Sequence, residues 1–167
     1  IDITICKYID GNGDGYLTDE QAYTEGWTVF LGADETVTGE NGCVTYSNVG
    51  PGNYDVTEDT SDANWLQTFP AEGSYNFDAV SGQNESFDFG NYQYGKISGY
   101  KFEDVNGNGT WDESEPALNG WSICKNGIND CVVTGSGEWP TGYYQFTGLL
   151  AGTYDIYEQV QPGWLHT

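Results

Sequence analysis

Oxygen-bearing side chains alternate with glycine in two acidic stretches, DGNGDGYLTDEQ from Asp10 to Gln21 and DVNGNGTWDESE from Asp104 to Glu115. A hard cation such as calcium takes six to eight oxygen ligands, and a tightly turned loop can supply them from alternate positions. In the second stretch Asp104, Asn106, Asn108, Asp112 and Glu115 fall at loop positions 1, 3, 5, 9 and 12. Gly109 falls at position 6, where the chain turns sharply, and Thr110 at position 7 offers its carbonyl. This spacing predicts a calcium site. The first stretch matches less fully: Asp10, Asn12, Asp14 and the carbonyl of Tyr16 are in place, but position 9 is Thr18 and position 12 is Gln21. There Asp19 or Glu20 would have to replace the missing bidentate carboxylate, so a weaker or rearranged calcium site is expected. The alternative for both stretches is an Asn/Gly-rich turn with no metal.

The elements that position these loops read as strands. The chain has 167 residues, enough for one or two domains. It has 24 glycines, 13 tyrosines, 6 tryptophans and no methionine, and aromatic and β-branched runs punctuated by turn residues indicate β structure. Against 26 acidic residues stand only 4 lysines, giving a formal charge of -22. Such a surface repels nucleic acid and anionic membranes and attracts cations. No apolar run is long enough to span a membrane, and no signal peptide is recognisable.

The chain repeats itself. Lys7 and Lys101, Asp10 and Asp104, and Trp27 and Trp121 are each 94 residues apart. After an insertion the offset becomes 100, matching Gly52, Tyr54 and Glu58 with Gly152, Tyr154 and Glu158. Trp65 and Leu66 match Trp164 and Leu165. Two tandem repeats are therefore expected, 1–94 and 95–167. The first continues through SYNFDA and ESFDFGNYQ, two alternating strand patterns, and the second has no counterpart of them. An open sheet edge in the second repeat is the expected result, filled by further residues of a longer chain or by a neighbouring subunit.

Four cysteines, Cys6, Cys43, Cys124 and Cys131, contain no CxxC pair, which argues against zinc and for disulfides in an oxidising, extracellular setting. Cys6 aligns with Tyr100 and Cys43 with Tyr143. A paired swap of this kind is what a cross-strand contact would produce, so Cys6 is paired with Cys43. Cys124 and Cys131 flank KNGIND and would staple a hairpin.

ISGYKFEDVNGNGTWDESEPALNGW and GYYQFTGLLAGTYDIYEQVQPGW resemble the SdrD-type B repeat and the broader collagen-adhesin (Cna) B-type domains of surface proteins. The first repeat shows the same frame, closing with FDFGNYQ. The resemblance covers essentially the whole chain. It implies an all-β chain of two tandem prealbumin-like (Ig-like) β-sandwich domains of about seven strands each, with calcium bound by the loops. It further implies a stalk, spacer or shaft role at the cell surface, with neighbouring repeats or subunits of a longer chain or fibrous homopolymer as partners.

Many relatives of this type join a strand lysine to an asparagine by an isopeptide bond assisted by a buried acid. The resemblance places Lys7, Asn91 and Glu58 in those roles, with Lys101 and Glu158 as an incomplete second set. Alternation agrees: Ile3, Ile5 and Lys7 share one strand face, Tyr54, Val56 and Glu58 a second, Phe87, Phe89 and Asn91 a third. A buried Lys7–Glu58 ion pair without a crosslink is the competing structural reading.

Two other function classes are open to such a chain. A carbohydrate-binding module would use exposed aromatics such as Trp139 and Tyr92. An enzyme finds little support: the one histidine, His166, makes a Ser–His–Asp arrangement implausible, and no phosphate loop is present. Asn84-Glu-Ser86 and Asn108-Gly-Thr110 fit the glycosylation pattern, the second in conflict with cation binding.

Overall fold

The computed structural model of the protein describes residues 1–17 and 23–167. Every regular element among the described residues is a strand, and no helix is long and apolar enough to cross a membrane. The chain divides into two compact units, Ile1–Tyr94 and Gly95–Thr167.

Unit 1 contains β1 (Ile3–Ile9), β2 (Thr28–Leu31), β3 (Asp34–Val37), β4 (Cys43–Tyr46), β5 (Gly52–Glu58), β6 (Trp65–Phe69), β7 (Tyr75–Ala79) and β8 (Glu85–Gln93). These form two four-stranded sheets, in the orders β4-β1-β8-β6 and β3-β2-β5-β7. The sheets close on a core of Ile3, Ile5, Val29, Leu31, Val56 and Phe89. The described residues of unit 1 form eight strands, against the about seven expected, with β3 at a sheet edge beside β2.

All strand pairs in unit 1 are antiparallel except β1 with β8, the first strand and the last, which run parallel. Parallel strands are ordinarily covered on both faces, and β1 follows that rule. Ile3, Ile5 and Lys7 face the core, while Cys6 and Tyr8 on the opposite face are also buried. The ring of Tyr8 packs against β8 at Gly90, where a Cβ would come within 2.3 Å of it. Only glycine permits that approach.

Unit 2 contains β9 (Gly95–Tyr100), β10 (Ser122–Lys125), β11 (Cys131–Val133), β12 (Tyr143–Leu149) and β13 (Ile156–Glu158). Its sheets have the orders β11-β10-β13 and β12-β9. Ile123, Phe146 and Leu149 are its buried centre, with Ile97, Val132, Tyr144, Tyr154 and Ile156 packed around them.

Both expected disulfides form, Cys6–Cys43 as the repeat alignment predicts and Cys124–Cys131 as their places flanking KNGIND predict. Cys6 and Cys43 are directly opposed on β1 and β4. Tyr100 and Tyr143 are directly opposed at the equivalent place on β9 and β12, their rings edge to face at 5.2 Å. One cross-strand position thus carries a covalent staple in unit 1 and an aromatic pair in unit 2. Tyr92 departs from expectation. It is only 8% exposed, because the turn at Gly13 packs on its ring.

A disulfide restricts the unfolded chain more when it closes a longer loop. Cys6–Cys43 spans 37 residues and Cys124–Cys131 spans 7. Replacing Cys6 and Cys43 together with alanine is expected to cost unit 1 about 2–4 kcal/mol. Replacing Cys124 and Cys131 should cost unit 2 less. Urea unfolding of the two double variants, followed by tryptophan fluorescence, checks the order; the reverse ranking would refute the loop-closure account.

Candidate functional site

Three strands of unit 1 deliver a lysine, a glutamate and an asparagine to one dry place. Lys7 comes from β1, Glu58 ends β5 and Asn91 lies near the end of β8. The parallel register sets Lys7 opposite Phe89 and Ile9 opposite Asn91, so Lys7 and Asn91 share the inward parity. In the facing sheet Glu58 is opposed to Val29. The side chains of Lys7 and Glu58 are wholly buried, with Lys7 Nζ 2.8 Å from Glu58 Oε2, and Asn91 is 1% exposed.

The pairing is close but poorly directed. At 2.8 Å the charges are in contact, yet neither Lys7 Nζ nor either Glu58 oxygen makes a hydrogen bond of normal angle, and Asn91 Oδ1 has no partner. Buried polar atoms are nearly always paired, so four such atoms in one pocket mark it as unusual. Tryptophans close the site. The Trp27 ring lies 4.4 Å from Lys7 Nζ, and Trp65 packs edge-on against Trp27 at 5.1 Å.

Electrostatics follow from the burial. Desolvation pulls the Lys7 ammonium from its ordinary 10.5 down to about 8, against the opposing pull of the Glu58 charge. Desolvation likewise pushes the Glu58 carboxyl up, opposed by Lys7 and by the Asn91 carboxamide lying against it. Both shifts favour the neutral forms, an amine and a carboxylic acid. That is a nucleophile and a proton carrier, beside a carboxamide that can act as electrophile.

Unit 2 repeats this arrangement without the asparagine. Lys101 Nζ is 2.7 Å from Glu158 Oε2, with side chains 17% and 8% exposed. Trp121 lies 4.4 Å from Lys101 Nζ, and Trp164 meets Trp121 edge-on at 5.2 Å. The tryptophans' role against the lysines was not read from the sequence, though the signal was there: each follows its lysine by 20 residues. Thr38 and Thr134 were missed altogether. Each hydroxyl accepts the tryptophan amide at 3.1 Å and donates to a loop carbonyl, Thr24 or Leu118, which fixes the ring over the lysine.

The acidic loops are built alike. The position-6 glycines, Gly15 and Gly109, have φ of +77° and +75°, and their amides donate to Asp10 Oδ2 at 2.8 Å and Asp104 Oδ2 at 2.7 Å. Burial pulls Asp10 upward, but a hydrogen bond from Thr68 and the amides of Gly15, Gly13 and Asp14 outweigh it and hold the carboxyl below its usual range. In the second loop the Asn106 and Asn108 side chains both reach Asp112 Oδ2, at 2.8 and 3.0 Å. The side chains at positions 3, 5 and 9 thus meet through carboxamide nitrogen, while the oxygens of Asn106 and Asn108 accept the amides of Asn108 and Thr110. Glu115 is turned to another use: its oxygens accept the amides of Val105 at 2.8 Å and Asp112 at 3.1 Å. No group of three or more acidic, histidine or cysteine side chains arranged for a metal occurs among the described residues. To offer oxygen to a cation at positions 1, 3, 5 and 9 both carboxamides would have to turn over, and Glu115 would have to release the backbone to join them. Thr18, Asp19, Glu20 and Gln21 lie outside the described residues.

Of the remaining candidates, Asn84 is exposed, with its Oδ1 accepting the Asp2 amide at 2.8 Å. Trp139 is half-buried, edge-on to Tyr143 at 5.8 Å. His166 is exposed.

The Lys7 environment can be read by titration. In an Asn91→Ala variant, where Lys7 keeps its free amine, its NMR midpoint is expected near 8. Because the unfolded lysine stays protonated up to 10.5, the unfolded state binds more protons from about pH 8 to 10.5, so the destabilisation from burying this group is lost and stability rises as pH rises through that window. A Lys7 midpoint at 10.5 would show that its head is solvated.

No family model matches the chain. The serine-aspartate repeat-containing protein D of Staphylococcus aureus (strain Newman) is 27% identical over 176 residues, 95% of this chain and 13% of that protein. Colossin-A of Dictyostelium discoideum is 24% identical over 192 residues, 93% of this chain and 2% of that protein. Among solved structures, the Bacillus anthracis TIE protein aligns over 97% of this chain and 28% of its own, with 16% identity and a TM-score of 0.47. The Streptococcal ancillary pilin aligns over 99% and 55%, with 18% identity and a TM-score of 0.46. The chain thus spans a small part of the curated relatives it matches, and its resemblance to SdrD, read first from its motifs, extends across both of its units.

Proposed function

We propose that the chain is a load-bearing module of an extracellular stalk, adhesin or pilus-like filament and performs no catalysis on other molecules. The observation that carries this reading is the pairing of β1 with β8. The first and last strands of unit 1 are adjacent and parallel. Tension applied to the two ends of the unit pulls them in opposite directions, so the load falls on that pair in shear, across seven registered residue pairs from Ile3–Glu85 to Ile9–Asn91. The tandem likeness to a repeat-containing protein supports the same reading.

Lys7 and Asn91 sit on these two strands, and an amide between them would join them covalently. The neutral Lys7 Nζ attacks Asn91 Cγ, the Cγ–Nδ2 bond breaks, and Glu58 carries the proton from the lysine nitrogen to the departing ammonia. The mutual burial of the three groups and their unsatisfied atoms support this step. The test is intact mass after reduction: the protein should be lighter by one ammonia, about 17 Da, and Glu58→Ala should restore the full mass. Under force, the segment between the joined residues should not extend in the wild type and should extend in the Glu58→Ala variant. Full mass and full extension in the wild type would leave an ion pair and remove the covalent part of the proposal.

The acidic loops are the second stiffening element. When bound, calcium would supply a positive centre for Asp104, Asn106, Asn108, Asp112 and the Thr110 carbonyl, and in the first loop for Asp10, Asn12, Asp14 and the Tyr16 carbonyl. A ligand that binds only the folded state stabilises it. Chelation is therefore expected to lower Tm, and Asp104→Ala with Asp112→Ala should remove most of the difference between calcium and chelator. An equal Tm in both conditions for the wild type would dismiss the metal.

A further inference from the structure

Unit 1 has a small cleft of about 220 Å³, lined by Trp27, Trp65, Asp59, Ser61, Asp62 and Gly26. The two indoles meet at 85° with centroids 5.1 Å apart, so they bound a corner with an aromatic face on either side. The corner is fixed from within the fold. Thr38 holds the Trp27 amide, and Trp65 is set by its pairing with Gln93 in the β6–β8 ladder. Lys7 Nζ lies 4.4 Å from the Trp27 ring but is wholly buried, so its charge stays outside the cleft.

The acids of the cleft have no cation of their own. Asp59 Oδ1 accepts the Ser61 amide at 2.9 Å. Asp62 Oδ1 accepts the amide and the carboxamide of Asn64 at 2.9 and 2.8 Å. The bonds from Ser61 hold the Asp59 carboxyl below its usual range, so it is ionised at neutral pH. Among the described residues neither carboxylate forms an ion pair. A hard metal ion would want more oxygens than these two acids and a serine supply. Aromatic faces beside unpaired negative charge suit an organic cation instead.

Unit 2 keeps the tryptophan corner and drops the charge. Trp121 and Trp164 meet at 88°, but the segment DTSDAN at 59–64 is replaced by QVQPG at 159–163, which carries no acid. There Gln161 donates its side-chain amide to the carbonyl of Gly120, the counterpart of Gly26, at 3.1 Å. The carboxylates are therefore not needed to hold a tryptophan pair over a buried lysine, and their presence in unit 1 asks for another role.

We propose that the Trp27–Trp65 corner, rimmed by Asp59 and Asp62, binds a quaternary ammonium group. The methyl groups of such a cation pack on the indole faces, and its charge is met by the ring faces and by the two carboxylates without requiring a hydrogen bond. The inference depends neither on the crosslink nor on calcium.

The probe is choline, titrated into the whole chain at low ionic strength while the tryptophan indole N–H resonances are followed by NMR. Saturable shifts are expected at Trp27 and Trp65, with Trp121 and Trp164 unmoved. The uncharged carbon isostere of choline, dimethylbutanol, should bind at least about fivefold more weakly, since it has the shape without the charge. Asp59→Asn combined with Asp62→Asn, both at exposed positions, should weaken choline by about the same factor, and added salt should weaken it in the wild type. Four outcomes would overturn the proposal. They are shifts that do not saturate, equal binding of the isostere, undiminished binding by the double variant, or an equal response at Trp121 and Trp164. Tighter binding of butylamine than of choline would assign the corner to a primary ammonium, and tighter binding of a neutral methyl glycoside would assign it to a sugar; either equally overturns it.

Discussion

A lysine buried in the core of a β-sandwich is the constraint around which the rest is arranged. Removing an ammonium from water costs several kcal/mol unless a partner compensates. Lys7 is fully buried, and Glu58 is in contact with it. To bring the two together, β1 and β5 must lie in facing sheets with those residues at matching inward parity. The apolar neighbours Ile5 and Val56 then meet as core, and the tryptophan held by Thr38 closes the site over the lysine head. A charge on the wrong face of any strand would leave an ion unpaired, so register is specified strongly here.

The two units answer the same constraint with different supporting chemistry. Their lysine–glutamate distances differ by only 0.1 Å, from 2.8 to 2.7 Å, and the lysine–tryptophan distances are equal at 4.4 Å. Around this shared centre the cross-strand staple changes from a disulfide to an edge-to-face tyrosine pair. The disulfide that unit 2 does have lies on its β10–β11 hairpin. The polar centre thus varies less than the means of holding the sheets around it.

The charge of the chain belongs to its loops and strand exteriors. At -22 it disfavours compaction through self-repulsion, and the internal bonding of the acidic loops offsets part of this. Asp10, Asp104 and Glu115 accept backbone amides, so part of the negative charge organises turns. Asp10 and Asp104 are also the position-1 oxygens a calcium ion would share, so turn formation and cation binding would use the same carboxylates.

Much was determined by the sequence alone, because periodicity and repetition are local signals. Alternation placed Lys7, Glu58 and Asn91 inward, the offsets of 94 and 100 residues marked the two units, and the exchange of Cys6 and Cys43 for Tyr100 and Tyr143 identified a cross-strand contact. Loop spacing identified the acidic turns for the same reason. Other features depended on which strands meet, and that is non-local. The parallel pairing of β1 with β8, which turns end-to-end tension into shear, is invisible in either segment. The burial of Tyr92 depended on a turn at Gly13, far away in the chain, packing onto its ring. Glu115, a cation ligand by spacing, binds the loop's own amides because the free energy of an unpaired backbone donor is settled in three dimensions. The tryptophan lids and their threonine clamps likewise required residues from separate loops to converge, which tertiary structure alone decides.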